Sequence, residues 1–134
     1  MSVKQQVKTF LTSPLIGVVG ASSNRDKFGN KVLRCYLENG RQVVPVHPQE
    51  TEIEGLACVA SVADLPDEVK SISVITPPQI TDKIVQAAAA KGIKNIWMQP
   101  GAQSNAAVSF CQAQGINVIA DGTCVLVELG FSEH

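Results

Sequence analysis

Apolar positions recur along this chain in two rhythms. Val3, Val7, Phe10 and Leu11 fall on one helical face with Lys4 and Lys8 opposite, so residues 3–11 are predicted to form a short amphipathic helix that Pro14 stops. Residues 15–20, LIGVVG, form a continuous apolar run of strand length, the pattern of a strand buried on both faces of a parallel sheet. A loop over 21–28 leads to a helix over 29–39, with Val32, Leu33, Tyr36 and Leu37 on its apolar stripe and Gly40 at its C′ position. Residues 42–46 read as a second strand ended by His47 and Pro48. The segment 49–66 is less regular: a short hairpin is expected around Gly55, and Ser61 is placed to cap a turn over 62–64. A third strand over 72–75 precedes Thr76, read as an N-cap with Pro77 at the first helical position of an Ala-rich helix ending at Gly92. Further segments read as a strand over 94–98, a helix over 104–114 closed by Gly115, and a strand over 116–120. The tail 123–129 is apolar enough to pack back on the sheet, and the pattern assigns it no form. Five strands alternating with helices predict a single doubly wound α/β domain with a five-stranded, mainly parallel sheet and helices on both faces, because parallel neighbours need helical crossovers.

Composition narrows the class. With 134 residues, 45% hydrophobic and 17% charged, the chain is expected to be globular, and at this size it buries about two thirds of its unfolded surface, enough for one core. The net charge of −1 argues against a nucleic-acid partner. It is unevenly spread: residues 1–47 carry seven Lys and Arg against Asp26 and Glu38, and residues 48–134 carry four against ten acids. An anion is therefore expected in the first third. No segment reads as a secretory signal or approaches the about 18 to 20 apolar residues of a membrane span, so no membrane partner is expected. Cys35, Cys58, Cys111 and Cys124 lie 23, 53 and 13 positions apart, without a CxxC or a His pair to complete a metal site. Reduced thiols in a cytoplasmic protein are the simplest expectation.

In a doubly wound sheet, ligands bind outside the carboxyl ends of the strands, where the strand order reverses. The loops there read GASSNRDKFGN, HPQ, TPP, QPGAQSN and DGTC. Gly20-Ala21-Ser22-Ser23 offers a sharp turn and small residues that let backbone N–H groups approach a phosphate at a helix N-terminus, with Arg25 and Lys27 in the same loop. A plain strand-to-helix turn explains the glycine equally well. The dinucleotide fingerprint GxGxxG is absent, the second strand ends in His47 rather than a ribose-binding acid, and there is no GxxxxGK[ST]. A phosphoacceptor signalling domain is disfavoured, since the third strand ends Ile75-Thr76-Pro77 instead of in an aspartate.

The runs IGVVGASSNRDKFGNKV, VVPVHP, VITPP, IWMQPG and IADGTC, in this order over residues 15–129, resemble the small stand-alone CoA-binding proteins. Their domain is similar to the amino-terminal domain of the succinyl-CoA synthetase alpha subunit. The resemblance implies a Rossmann-like CoA-binding domain over 15–134 with the helix of residues 1–14 packed on it. It also implies a coenzyme A or acyl-CoA ligand whose pyrophosphate meets Gly20, Ala21, Ser22 and Ser23, with Arg25, Lys27 and Gly29 in the same loop. Thr76, Pro77 and Pro78 match the loop after the third strand that closes over the ligand, and Gln99 and Gly101 match the loop after the fourth. Two positions depart from the family pattern: His47-Pro48 stands where Asn-Pro is common, and Asp121-Gly122-Thr123-Cys124 has one residue inserted and lacks an arginine.

His47 is thus open between a nucleotide contact and a turn residue, and Cys124 between a packed thiol and a partner for the pantetheine thiol in a mixed disulfide. No cationic residue neighbours Cys124 in the sequence to activate its thiol. The leading expectation is a CoA-binding module without its own catalytic residues. The alternatives are an acyl-CoA or CoA-thiol transferring protein using Cys124, paired across the strand ends with His47, and an NAD-binding regulatory domain. His134, the last residue, is expected in a frayed terminus. A homodimer, through the amino-terminal helix or the acidic half, is left open.

Overall fold

The computed structural model describes residues 1–132, so His134 lies outside the described residues. The apolar runs become the buried strands β1 (Leu15–Val19), β2 (Val43–Val46), β5 (Val69–Val74), β6 (Asn95–Met98) and β7 (Asn117–Ile119). They form one parallel sheet in the order β2-β1-β5-β6-β7. The chain builds β1 and β2, then crosses to the other side of β1 for β5, so the order reverses between β1 and β5. A separate hairpin joins β3 (Glu52–Ile53) to β4 (Leu56–Ala57), its two-residue turn made by Glu54 and Gly55, both at positive φ as a type I′ turn requires.

Helices α1 (Val3–Phe10), α2 (Phe28–Glu38) and α5 (Val125–Leu129) cover one face, and α3 (Pro78–Lys91), α4 (Asn105–Ala113) and a 3-10 turn at Val62–Asp64 cover the other. The first core is centred on Phe10, Leu33, Tyr36 and Trp97; the second is built from Ile72, Val85, Ile96 and Met98. This is a Rossmann-like, doubly wound α/β fold. The helix α1 opens with a capping box, Ser2 accepting from the Gln5 N–H while the Gln5 side chain accepts from the Ser2 N–H. It is fastened to β7 by Gln6 Nε2, which donates to Asn117 Oδ1 and the Val118 carbonyl.

Several boundaries differ from the sequence expectation. The third strand of the sheet, β5, begins at Val69 rather than at 72. Its register with β1 shifts between Leu15 and Ile16, and Ser13 Oγ accepts from the Lys70 N–H at 2.9 Å. Thr76 is not the N-cap of α3. Pro77 takes that position in an extended conformation and Pro78 is the first helical residue, because a residue that precedes proline is excluded from helical backbone. The tail adopts the short helix α5, whose Val125 N–H donates to Gln99 Oε1 at 3.0 Å.

Candidate functional site

The carboxyl end of β1 is shaped by two glycines. Gly20 turns the chain at φ +97°, and a Cβ there would lie 2.3 Å from the Ile75 carbonyl oxygen. In the first turn of α2, a Cβ on Gly29 would lie 2.1 Å from the Gly20 carbonyl oxygen. Only hydrogen at both positions lets the first loop, the end of β5 and the start of α2 come into backbone contact. The N-cap residue of α2 is Lys27, and no side chain caps the helix, so its first amides and the positive end of its dipole face outward beside an ammonium group. The loop holds this shape through its own polar groups: Ser22 Oγ accepts from the Asn24 N–H, Asn30 Nδ2 donates to the Ser22 carbonyl, and buried Arg34 donates to Asn30 Oδ1 and the Arg25 carbonyl.

The segment after β2 leans on this loop from one side. His47 Nδ1 accepts from the N–H groups of Gln49 and Glu50, both at 3.0 Å, so its proton sits on Nε2, 3.6 Å from Glu50 Oε2. The same Glu50 oxygen accepts from the Ser23 N–H at 3.1 Å. Hydrogen bonding to Ser23 holds the Glu50 carboxyl below its ordinary pKa. A carboxylate thus already occupies one amide of the Gly-Ala-Ser-Ser turn.

Above these elements opens a cavity of about 760 Å3, within the range of small-molecule sites. Gly20, Ala21, Ser22, Lys27 and Gly29 line one wall, His47 and Pro48 another, and Val19, Val46 and Ile75 the floor. Residues 60–63, Thr76, Pro77 and one stripe of α3 complete it. The cavity sits over β2, β1 and β5, at the point where the strand order reverses.

The CoA binding domain family matches residues 15–130, taking in each of these cavity elements. The chain belongs to the CoA binding domain family. It is 33% identical over 81 residues to the ADP-forming acetate–CoA ligase II of Archaeoglobus fulgidus, an alignment covering 59% of this chain and 12% of the ligase. Across the first four curated ligases it matches, the alignment spans 11% to 18% of their length. Among solved structures, a conserved hypothetical protein from Pyrococcus furiosus superposes with a TM-score of 0.81 at 40% identity, covering 84% of this chain and 97% of that one. A dinucleotide-forming acetyl-coenzyme A synthetase from Candidatus Korarchaeum cryptofilum superposes with a TM-score of 0.73 at 26% identity, covering 81% of this chain and 26% of the synthetase.

Of the residues singled out in the sequence, nine of this CoA binding domain meet at the cavity: Gly20, Ala21, Ser22, Lys27, Gly29, His47, Pro48, Thr76 and Pro77. Six do not line it. Ser23 is exposed with its amide on Glu50, Arg25 turns to Glu54 at 3.5 Å, and Pro78 is exposed on the first turn of α3. Gln99 is buried beneath the start of α5, Gly101 donates its N–H to Gln103, and Cys124 is the N-cap residue of α5. These three follow β6 and β7, beyond β5 in the sheet. Sequence reasoning missed residues 60–63 and the α3 stripe of Ile80, Lys83, Ile84 and Ala87. The stripe has helical spacing: Ile84 reaches the core, whereas its leading residue, Ile80, is 43% exposed at the cavity.

Thiol chemistry is suppressed at the buried cysteines. Burial pushes Cys35 up to about 11, with Glu38 and Cys124 adding to the shift, and burial alone pushes Cys111 up to about 11. Cys58 is raised by burial and by Glu50 and Glu52. Among the described residues no group of His, Cys, Asp and Glu is arranged to hold a metal ion, and no helix is long and apolar enough to cross a membrane.

Proposed function

We propose that this domain binds coenzyme A or an acyl-CoA in the cavity at the β1–β5 switch point, and that it does so without catalytic residues of its own. The observation that carries the reading is the pair Gly20 and Gly29. Their close backbone contacts leave the first loop and the uncapped start of α2 open toward the cavity beside Lys27, the arrangement that receives a phosphate. The residues fit the group: Ser22, the start of α2 and Lys27 would hold the pyrophosphate, and the apolar walls would take the rest of the ligand. Phosphate contacts at a helix end contribute only about 0.3 to 1 kcal/mol each when exposed. Micromolar affinity, about −8 kcal/mol, therefore requires burial of ligand surface against Val19, Val46, Ile75 and the α3 stripe.

A binding role rather than turnover is supported by what the polar groups are doing. His47 Nδ1 is occupied by two backbone N–H groups, and Cys124 lies away from the cavity that His47 lines. Isothermal titration with CoA and acetyl-CoA tests the reading: saturable binding is expected, weakened at least about tenfold (about 1.4 kcal/mol) in Lys27→Glu, with NAD failing to compete. Absence of binding to either ligand removes the reading, and acyl-CoA hydrolysis lost in Cys124→Ser would replace it with a catalytic one.

A further inference from the structure

Several cations in this chain are engaged. Arg25 meets Glu54, Lys91 meets Asp67 at 3.2 Å, Arg34 serves Asn30 and the Arg25 carbonyl, and Arg41 donates to the Leu11 carbonyl. Two cations that line the cavity, Lys27 and Lys83, have no carboxylate within 4.0 Å among the described residues. Lys83 arrives from a different element, in the second turn of α3, where it stands between Ile80 and Ala87 on the cavity stripe. The neighbouring acid, Asp82, is held by the Ser104 hydroxyl at 2.6 Å. One cavity therefore offers two separate unpaired ammonium groups: one with helix-end amides beside it, and one alone above an apolar wall.

A ligand with two separated anionic groups matches this arrangement, and one with a single pyrophosphate leaves the second cation unused. We propose that Lys83 binds the 3′-phosphate of the CoA adenosine and makes the site select CoA over dephospho-CoA. The proposal rests on the CoA reading above and assigns a specificity-determining residue within it. Lys83 is exposed and has no backbone amides beside it in this role, so the discrimination is a screened charge contact. It should amount to a preference of up to about fivefold, and it should shrink as salt is raised.

The test is a comparison of dissociation constants for CoA and dephospho-CoA at low ionic strength in the wild type, Lys83→Met, Lys83→Arg and Lys27→Met. The wild type should favour CoA, Lys83→Met should bring the ratio close to one, Lys83→Arg should restore it, and Lys27→Met should weaken both ligands together. An unchanged ratio in Lys83→Met, or an equal loss for both ligands, overturns the assignment. Failure of the wild type to bind either ligand overturns the CoA reading itself, and a thermal melt of each variant separates lost binding from lost fold.

Discussion

Glu50 puts a negative charge on the Ser23 amide, in the turn where a phosphate would dock. A phosphate entering the Gly-Ala-Ser-Ser turn has to displace this carboxylate or bind beside it, and either costs affinity through like-charge repulsion. Glu50→Gln keeps an oxygen that can accept from Ser23 and removes the charge. It is expected to tighten CoA binding by about two- to fivefold, the scale of an exposed charge contact, measured by titration against the wild type. This residue could not be read from the sequence as part of the site, because it lies 27 positions from Ser23 and no motif contains it. The glycines were legible for the opposite reason: a turn at the end of a buried strand and a tight helix start demand them wherever they occur. Charge along the chain was only a coarse guide to the cavity. Of the seven cations in residues 1–47, Lys27 lines the cavity, whereas Arg25, Arg34 and Arg41 are taken up by Glu54, Asn30 and the Leu11 carbonyl. The second cavity cation, Lys83, comes from the acidic remainder of the chain.

At the scale of elements, the hydrophobic rhythm predicted the strands and helices well because the inner strands β1, β5 and β6 are buried almost throughout and most helices carry one apolar stripe. What it could not show was how α1 and α5 dock. The amino-terminal helix inserts Phe10, fully buried, edge-on against Trp97 with ring centroids 5.4 Å apart and stacked near Tyr36 at 6.4 Å. The Phe10 carbonyl also accepts from Ser71 Oγ in β5 at 2.6 Å. Helix α1 is thus a part of the core under the sheet. Phe10→Ala should cost about 3 to 5 kcal/mol in urea unfolding, the range for a fully buried aromatic, and a loss below 1 kcal/mol would show that α1 is only loosely attached. The start of α3 was misplaced in the sequence reading by one residue: the Pro77-Pro78 pair shifts helix entry, since the first proline of a pair cannot be helical. The form of α5 was illegible because its anchor, the Gln99 side chain, comes from 26 residues away.

For the molecule as a whole, two properties follow from burial and topology. The first is a pH dependence. Cys35 and Cys111, with ordinary values of 9.0, are raised to about 11, and burial also raises Tyr36 from its ordinary 10.0. Their folded-state values exceed the unfolded ones, so the folded protein retains protons that the unfolded chain releases, and stability falls with rising pH between the two values. The melting temperature should be insensitive to these groups at neutral pH and fall from about pH 9 toward pH 11. Cys35→Ala together with Cys111→Ala should flatten part of that decline. The second property is where a ligand can sit. Sequence reasoning placed candidate residues at all five strand ends, from the first loop to Cys124, because strand order cannot be read from one chain. The sheet order β2-β1-β5-β6-β7 puts the cavity over β2, β1 and β5 and leaves Gln99, Gly101 and Cys124 outside it.

That division can be tested directly by titrating CoA into the uniformly 15N-labelled protein and following the backbone amides by NMR. Binding in the cavity should give saturable shifts centred on residues 20–29, His47, 60–63 and 76–87. Shifts centred instead on Gln99, Gly101 and Cys124, or no shifts at all, would contradict it.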